Sequence, residues 1–194
     1  MADESQSRYE EFAEEIAERP ESVETMEPST LERLGEQFGE EIHSTSTRLG
    51  EATAIVDASS IVEIMTWLRD ERNFVLLSDL TAHDCHGEDP RFWVVYHLTN
   101  VEVPERLRIK VGLPEKKPVV ESVVPVWLGA NFYEREVYDL FGVEFKNHPN
   151  LTRIMMPEEW EGHPLRKDFP IVYEPVMFTH NADEVKAQKP FARE

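Results

Sequence analysis

Glu134, Arg135, Glu136 and Asp139 place four ionisable groups within six residues of one another. Carboxylates spaced this closely on a helix can divide the work of general acid and general base. The same spacing suits a solvated helix face on which Arg135 and Asp139, four apart, form an ordinary ion pair. A second cluster, His83-Asp84-Cys85-His86, gathers metal-ligating residue types. Structural zinc needs about four ligands, supplied as separated pairs. Cys85 is the single cysteine, and His43, His97, His148, His163 and His180 are scattered. On a strand His83 and Cys85 would share a face while His86 points away. Neither a metal site nor a reactive Cys–His pair is expected there. A third run, Gly162-His163-Pro164-Leu165-Arg166-Lys167-Asp168-Phe169-Pro170, sets a basic pair between apolar anchors, with prolines holding it extended. Arginine beside apolar anchors is typical of interface cores, and a plain surface loop has the same composition. No glycine-rich dinucleotide or phosphate loop, serine elbow, HExxH helix or iron–sulfur cysteine set is present. The weight moves towards a binding role.

The elements that must position these groups follow from periodicity. Asn131 to Gly142 reads as a short helix, with Asn131 as N-cap, Glu134 closing a capping box and Gly142 supplying a left-handed terminus. Tyr133, Val137, Leu140 and Phe141 fall on one arc, the core-facing stripe. Phe132 stands on the charged side, which suggests that another chain covers that side. Ser7-x-x-Glu10 opens a helix carrying Tyr9, Phe12, Ala13 and Ile16, and Pro20 stops it. A linker over 20–28 precedes a second short helix from Ser29 or Thr30 through Leu31, Leu34 and Phe38. These helices must dock on the body or a neighbour, or the first stays unfolded.

Residues 41–48 and 52–56 read as strands, Ser60-x-x-Glu63 as the start of a helix with stripe Ile61, Ile64, Met65 and Leu68. Phe74–Ala82 and Phe92–Leu98 are further strands around a polar loop from His83 to Pro90. Residues 106–111 alternate, with Leu107, Ile109 and Val111 on one face and Arg106, Arg108 and Lys110 on the other. That basic row is either a wet sheet face or a docking ladder for an acidic partner or the acidic leader. Ser122–Leu128 reads as a short helix. The order argues for an α+β fold, a mostly antiparallel sheet with helices on one face. Three regions result: an acidic helical leader over 1–40, a core domain over 41–145 and an extended C-terminal strap over 146–194. The strap is proline-rich yet keeps Met155, Met156, Trp160, Leu165, Phe169 and Phe178. Such a segment is best explained as a strap laid across a partner.

Composition narrows the classes. The 194 residues carry a net charge of −19, and residues 1–41 hold 14 acids against 3 bases. Nucleic acid and anionic lipid are therefore poor partners. No apolar run approaches a membrane span, and the acidic opening resembles neither a secretory nor a transit signal.

The run Glu134-Arg135-Glu136-x-x-Asp139-Leu140-Phe141, with His148 after it, resembles the signature of the 30-kilodalton-type (type C) subunit of the proton-pumping NADH:quinone oxidoreductase, respiratory complex I. The Gly162–Pro170 run, Pro90 to Leu98, and Trp127-x-x-Ala130-Asn131 resemble the same family, which covers the chain from about Phe74 to Tyr173. Thr152 departs from the basic residue or proline usual before Arg153-Ile154-Met155. The resemblance implies a cofactor-free structural subunit of the peripheral-arm quinone module, on the cytoplasmic side of the cell membrane. It would touch the membrane only through the complex. Its partners would be the large quinone-cavity subunit and the iron–sulfur subunits, with FMN and the clusters held by those partners. The alternative is the equivalent scaffold of a related ferredoxin- or deazaflavin-fed complex or membrane-bound hydrogenase. Pattern and resemblance together nominate as partner contacts Phe132, Glu134, Arg135, Glu136, Asp139, His148, Arg153, His163, Leu165, Arg166, Lys167, Asp168 and Phe169.

Overall fold

A computed structural model of the protein describes residues 29–170. The helix expected over residues 7–16 and the last part of the strap lie outside them. Helix α1 (Thr30–Gln37) starts at a reciprocal capping box: the Ser29 hydroxyl accepts from the Glu32 N–H, and the Glu32 carboxylate accepts from the Ser29 N–H. Leu34 is fully buried beneath it, and Phe38 meets the Trp67 ring edge-on at 5.7 Å. This helix therefore docks on its own body.

Strands β1 (Ile42–Arg48) and β2 (Glu51–Val56) form a hairpin, and helix α2 (Ile61–Asp70) follows. Its stripe of Ile61, Ile64, Met65 and Leu68 has no exposed surface, which stabilises by about 1.5–3 kcal/mol per side chain. The expected Ser60 cap is absent: its side chain makes no capping bond. Strands β3 (Leu76–Asp84), β4 (Phe92–Asn100) and β5 (Glu105–Leu113) complete a sheet ordered β1-β2-β5-β4-β3. All neighbours are antiparallel except β2 and β5. The α+β class, with a mostly antiparallel sheet, is what the structure shows.

Strict alternation puts Leu107, Ile109, Val111 and Leu113 of β5 inward, opposite Leu98, Tyr96, Val94 and Phe92 of β4. The helices close over this face, and the core is continuous from Leu34 to Phe145. Arg106, Arg108 and Lys110 stand on the other side.

Two short strands, β6 (Val119–Glu121) and β7 (Glu144–Lys146), pair in parallel and flank helix α3 (Ala130–Phe141). Three residues are too few for alternation to reveal a strand. The helix expected over Ser122–Leu128 is only a turn, with the Val126 and Trp127 N–H groups both on the Val123 carbonyl. Pro125 removes one donor there. Side chains take two others: Val123 N–H goes to Glu134 and Val124 N–H to the Ser122 hydroxyl.

Candidate functional site

Helix α3 begins two residues earlier than its sequence suggests, with Gly129 rather than Asn131 at the N-cap and no side-chain cap. Glu134 has no part in a capping box. It is fully buried and accepts from the Ser122 hydroxyl at 2.6 Å and the Val123 N–H at 2.7 Å. The carboxylate stitches α3 to the segment after β6. Burial pushes it up to about 7, although both hydrogen bonds pull it back. His148 lies 4.0 Å away. Its Nδ1 accepts from the Asn150 N–H, so Nε2 carries the proton it donates to the Asn131 carbonyl.

A raised carboxyl makes its stability contribution at low pH. Below the unfolded value, about 4.3, both states hold the proton; between there and about 7 only the folded state does. Stability from Glu134 therefore falls as pH rises, by roughly 4 kcal/mol in all. Glu134→Gln is expected to remove this component, so that the difference between variant and wild-type urea midpoints grows in the variant's favour from pH 5 to 7.5.

Arg135 and Asp139 do not pair with each other. Arg135 donates through Nε to the Thr152 carbonyl at 3.1 Å and through Nη2 to the Arg153 carbonyl at 3.0 Å. Because the contact uses backbone oxygens, the unusual Thr152 side chain is irrelevant to it. Asp139 has no exposed surface. One oxygen binds Arg153 Nη1 at 2.6 Å, and the other accepts the N–H groups of Ile154, Met155 and Met156 at 2.7–3.0 Å. Burial raises its pKa, but the Met156 N–H, Arg153 and the other two amides outweigh that and hold it below its ordinary range.

The strap thus lies back on its own helix through Pro170, contrary to the expectation that a partner alone would order it. The reason is the unfilled end of α3. The last carbonyls of a helix lack intrahelical donors and carry partial negative charge. Here the strap supplies both donors and positive charge. His163 Nδ1 donates to the Asp139 carbonyl at 2.9 Å, Leu165 N–H to the Leu140 carbonyl at 3.0 Å, and Arg166 to the carbonyls of Phe141 and Gly142. A carbonyl only accepts, so the His163 proton sits on Nδ1. Burial keeps that imidazole below its ordinary value, opposed by the Asp139 carbonyl and aided by Arg166 and Arg153.

Gly142 adopts φ 72°, and a Cβ there would collide with the Arg166 guanidinium and the His163 ring. Gly142→Ala is expected to lower unfolding free energy by about 2–4 kcal/mol, the sum of left-handed strain and overpacking. Equilibrium urea denaturation checks it.

A second anchor fixes the strap to the sheet. Arg91 is buried and grips Asp84 with two bonds of 2.8 and 2.9 Å, reaching also Glu115 at 2.7 Å and Asp168 at 2.8 Å. Asp84 in turn accepts the Lys167 N–H at 2.8 Å. The Arg91 and Arg166 guanidiniums both lie near the Phe92 ring, 4.8 and 5.1 Å from its centre. Asp84, grouped by sequence with possible metal ligands, is half of a buried ion pair. Among the described residues no group of three or more His, Cys, Asp or Glu is placed to hold a metal ion.

The nominated contacts therefore divide. Glu134 and Asp139 are enclosed by this chain and offer no surface to a partner. Arg135, His148, Arg153, His163 and Arg166 spend their hydrogen bonds on the strap or on α3. Lys167 and Asp168 are exposed while tethered to the sheet, and Phe169 stacks on Trp160 at 6.4 Å. Phe132 and Glu136, one turn apart on α3, face outwards together, Phe132 at 62% exposure. Leu165 is exposed as well. Sequence reasoning passed over Arg91 as an anchor, and over Leu128 and Ile154, which the structure leaves exposed together with Met155, one of the apolar residues counted in the strap. The signal for Arg91 was an arginine between Pro90 and a strand of apolar residues. Exposure of Ile154 has no such signal, because it follows from Asp139 drawing its backbone, not its side chain, inwards.

Residues 54–175 match the sequence model of the family described as the 30 Kd subunit of respiratory-chain NADH dehydrogenase. The chain belongs to that family. It is 44% identical over 169 residues to the type-C NADH-quinone oxidoreductase subunit of Roseiflexus castenholzii, covering 86% of this chain and 97% of that one. Against its counterpart in Citrifermentans bemidjiense it is 44% identical over 139 residues, 72% of this chain and 86% of the other. A trypsin-resistant fragment of Nqo5 superposes with a TM-score of 0.55 at 32% identity, covering 62% of this chain and 98% of the fragment. A chain of an archaeal membrane-bound sulfane sulfur reductase superposes with a TM-score of 0.65 at 25% identity, covering 84% and 94%. Membership makes this chain a subunit of the respiratory NADH:quinone oxidoreductase, complex I. No helix among the described residues is long and apolar enough to cross a membrane.

Proposed function

We propose that this chain is a non-catalytic, cofactor-free scaffold subunit in the quinone module of the peripheral arm. It holds the large quinone-cavity subunit and the iron–sulfur subunits in register on the cytoplasmic side of the cell membrane. One observation carries this reading. Arg135, Asp139, Arg153 and Arg166 are consumed in tying the signature helix and the strap together, while Leu128, Phe132, Ile154, Met155, Trp160 and Leu165 remain outside. Polar groups make the surface rigid and apolar groups make it adhesive, as a clamp between neighbours requires. Electron tunnelling and quinone access depend on geometry at the ångström scale, so a rigid spacer contributes to turnover without touching a reacting atom. FMN and the clusters belong to the partners in this reading.

The likeness to a chain of a sulfane sulfur reductase supports a second reading, the same scaffold in a related respiratory membrane complex fed by another donor. The higher identity to the NADH-quinone oxidoreductase subunits favours the first. Purification of the chain from membranes in mild detergent, with mass spectrometry of what accompanies it, separates them. NADH-oxidising and quinone-cavity subunits are expected; hydrogenase or sulfur-reductase subunits would replace the first reading with the second, and recovery of the chain alone would overturn both.

A further inference from the structure

The outer face of the sheet is used by neither the clamp nor the core. Arg106, Arg108 and Lys110 run along it on β5, with Arg48 at the end of β1. Arg108 pairs with Glu51, and the Lys110 ammonium lies 5.9 Å from the Trp93 ring centre. Arg48 and Arg106 are exposed and have no ion-pair partner among the described residues. At the Arg106 end lies a concavity of about 370 Å³, lined by Glu51, Ser78, Asp79, His97, Thr99 and Arg106 among others. Beside it the β4–β5 turn exposes Val101 at 62% and Val103 at 60%, and Leu76, paired with Thr99, is 47% exposed. Basic and apolar surface meet at one end of one face.

We propose that this end of the sheet is the docking site of the chain's own acidic leader, residues 7–18. Three observations select that occupant. The first is where the leader starts. Thr30, one residue past the Ser29 cap, donates through its hydroxyl to Glu105 at 2.9 Å, the residue before Arg106. The strap departs from the opposite end, where Lys167 and Asp168 hold Asp84 and Arg91. The second is charge. Residues 1–28 hold ten acids and two bases, whereas residues 171–194 hold four and three. Only the leader complements a basic row. The third is amphipathicity. In a helix over 7–18, Tyr9, Phe12, Ala13 and Ile16 share one arc, and Glu10, Glu11, Glu14, Glu15 and Glu18 occupy the rest. Such a helix can lay its stripe on Leu76, Val101 and Val103 while its flanking carboxylates reach Arg106 and Arg48. The linker over 20–28 spans up to about 30 Å when extended, enough to run the length of β5. The proposal concerns a surface outside the clamp and stands whether or not the scaffold reading holds.

The test uses the isolated full-length chain and amide hydrogen exchange by mass spectrometry. Residues 7–18 are expected to exchange about tenfold or more slowly than an unstructured peptide of the same sequence. Protection should fall in 1 M salt, where the screening length is about 3 Å. It should also vanish in Arg106→Glu with Arg48→Glu, and in Phe12→Ser with Ile16→Ser, while exchange in α2 stays unchanged as the check on folding. The leader pair changes no residue of 29–170, so it remains informative if the sheet variant misfolds. A photo-crosslinker at position 12 should label residues 101–110 of the same chain. Exchange at the unstructured rate, protection that survives both pairs of substitutions, or crosslinks to another element or a second copy would each overturn the proposal.

Discussion

Asp139→Ala is expected to lower the unfolding free energy by about 3–5 kcal/mol, the cost of stranding one partner of a buried ion pair. Arg153 would lose its carboxylate, and the N–H groups of Ile154, Met155 and Met156 would lose their only side-chain acceptor. The strap would detach around these residues first. Equilibrium urea unfolding measures the loss, and limited proteolysis should find new cleavage within 150–162. Asp139 is held below the ordinary carboxylate range, so the stability it confers is present above about pH 4 and lost as pH falls through its lowered value. The deficit of the alanine variant should therefore narrow on acidification. A deficit below about 1 kcal/mol would mean the bonds are replaced by water, as at exposed sites.

Arg91→Ala is expected to cost a similar 3–5 kcal/mol, for a related reason. Arg91 and Asp84 have 3% and 0% side-chain exposure, so the lone Asp84 carboxylate would keep only the Lys167 N–H. Arg91 is the first cause of the lowered Asp84 pKa, which the Lys167 N–H also supports. The paired replacement Arg91→Met with Asp84→Leu strands no buried charge, since Glu115 and Asp168 are exposed, and should cost clearly less than Arg91→Ala alone. A double variant at least as unstable as the single would show that packing around Phe92, rather than charge, dominates.

These two sites mark the limit of what the sequence made legible. Periodicity located β1 to β5 and α2, because an alternating or helical stripe such as Leu107-Ile109-Val111 or Ile61-Ile64-Met65-Leu68 records burial directly. It also located α3, but not the purpose of its charges. Spacing of four made Arg135 and Asp139 look like partners, since local geometry is all that a helix pattern encodes. Their real partners lie 14–18 residues away and, apart from the Arg153 guanidinium, are backbone groups, which leave no trace in side-chain pattern. Glu134 was assigned a cap on the same local logic, and the long-range Ser122 and Val123 N–H contacts won. The strap was read as needing a foreign surface because its prolines exclude regular structure. What orders it is the unfilled end of α3, a feature of the fold and not of the strap.

The central claim is that polar locking of the strap presents an apolar clamp to neighbouring subunits. It is tested most directly by replacing outward residues that leave the lock intact. Phe132→Ser with Met155→Ser should leave the urea midpoint of the isolated chain unchanged, since both side chains are more than half exposed. Native gels of membranes carrying the variant should show less assembled complex, with NADH:quinone turnover per assembled complex near that of the wild type. Full assembly with turnover lost would contradict the account, because these residues would then take part in the chemistry and not in holding the pieces together.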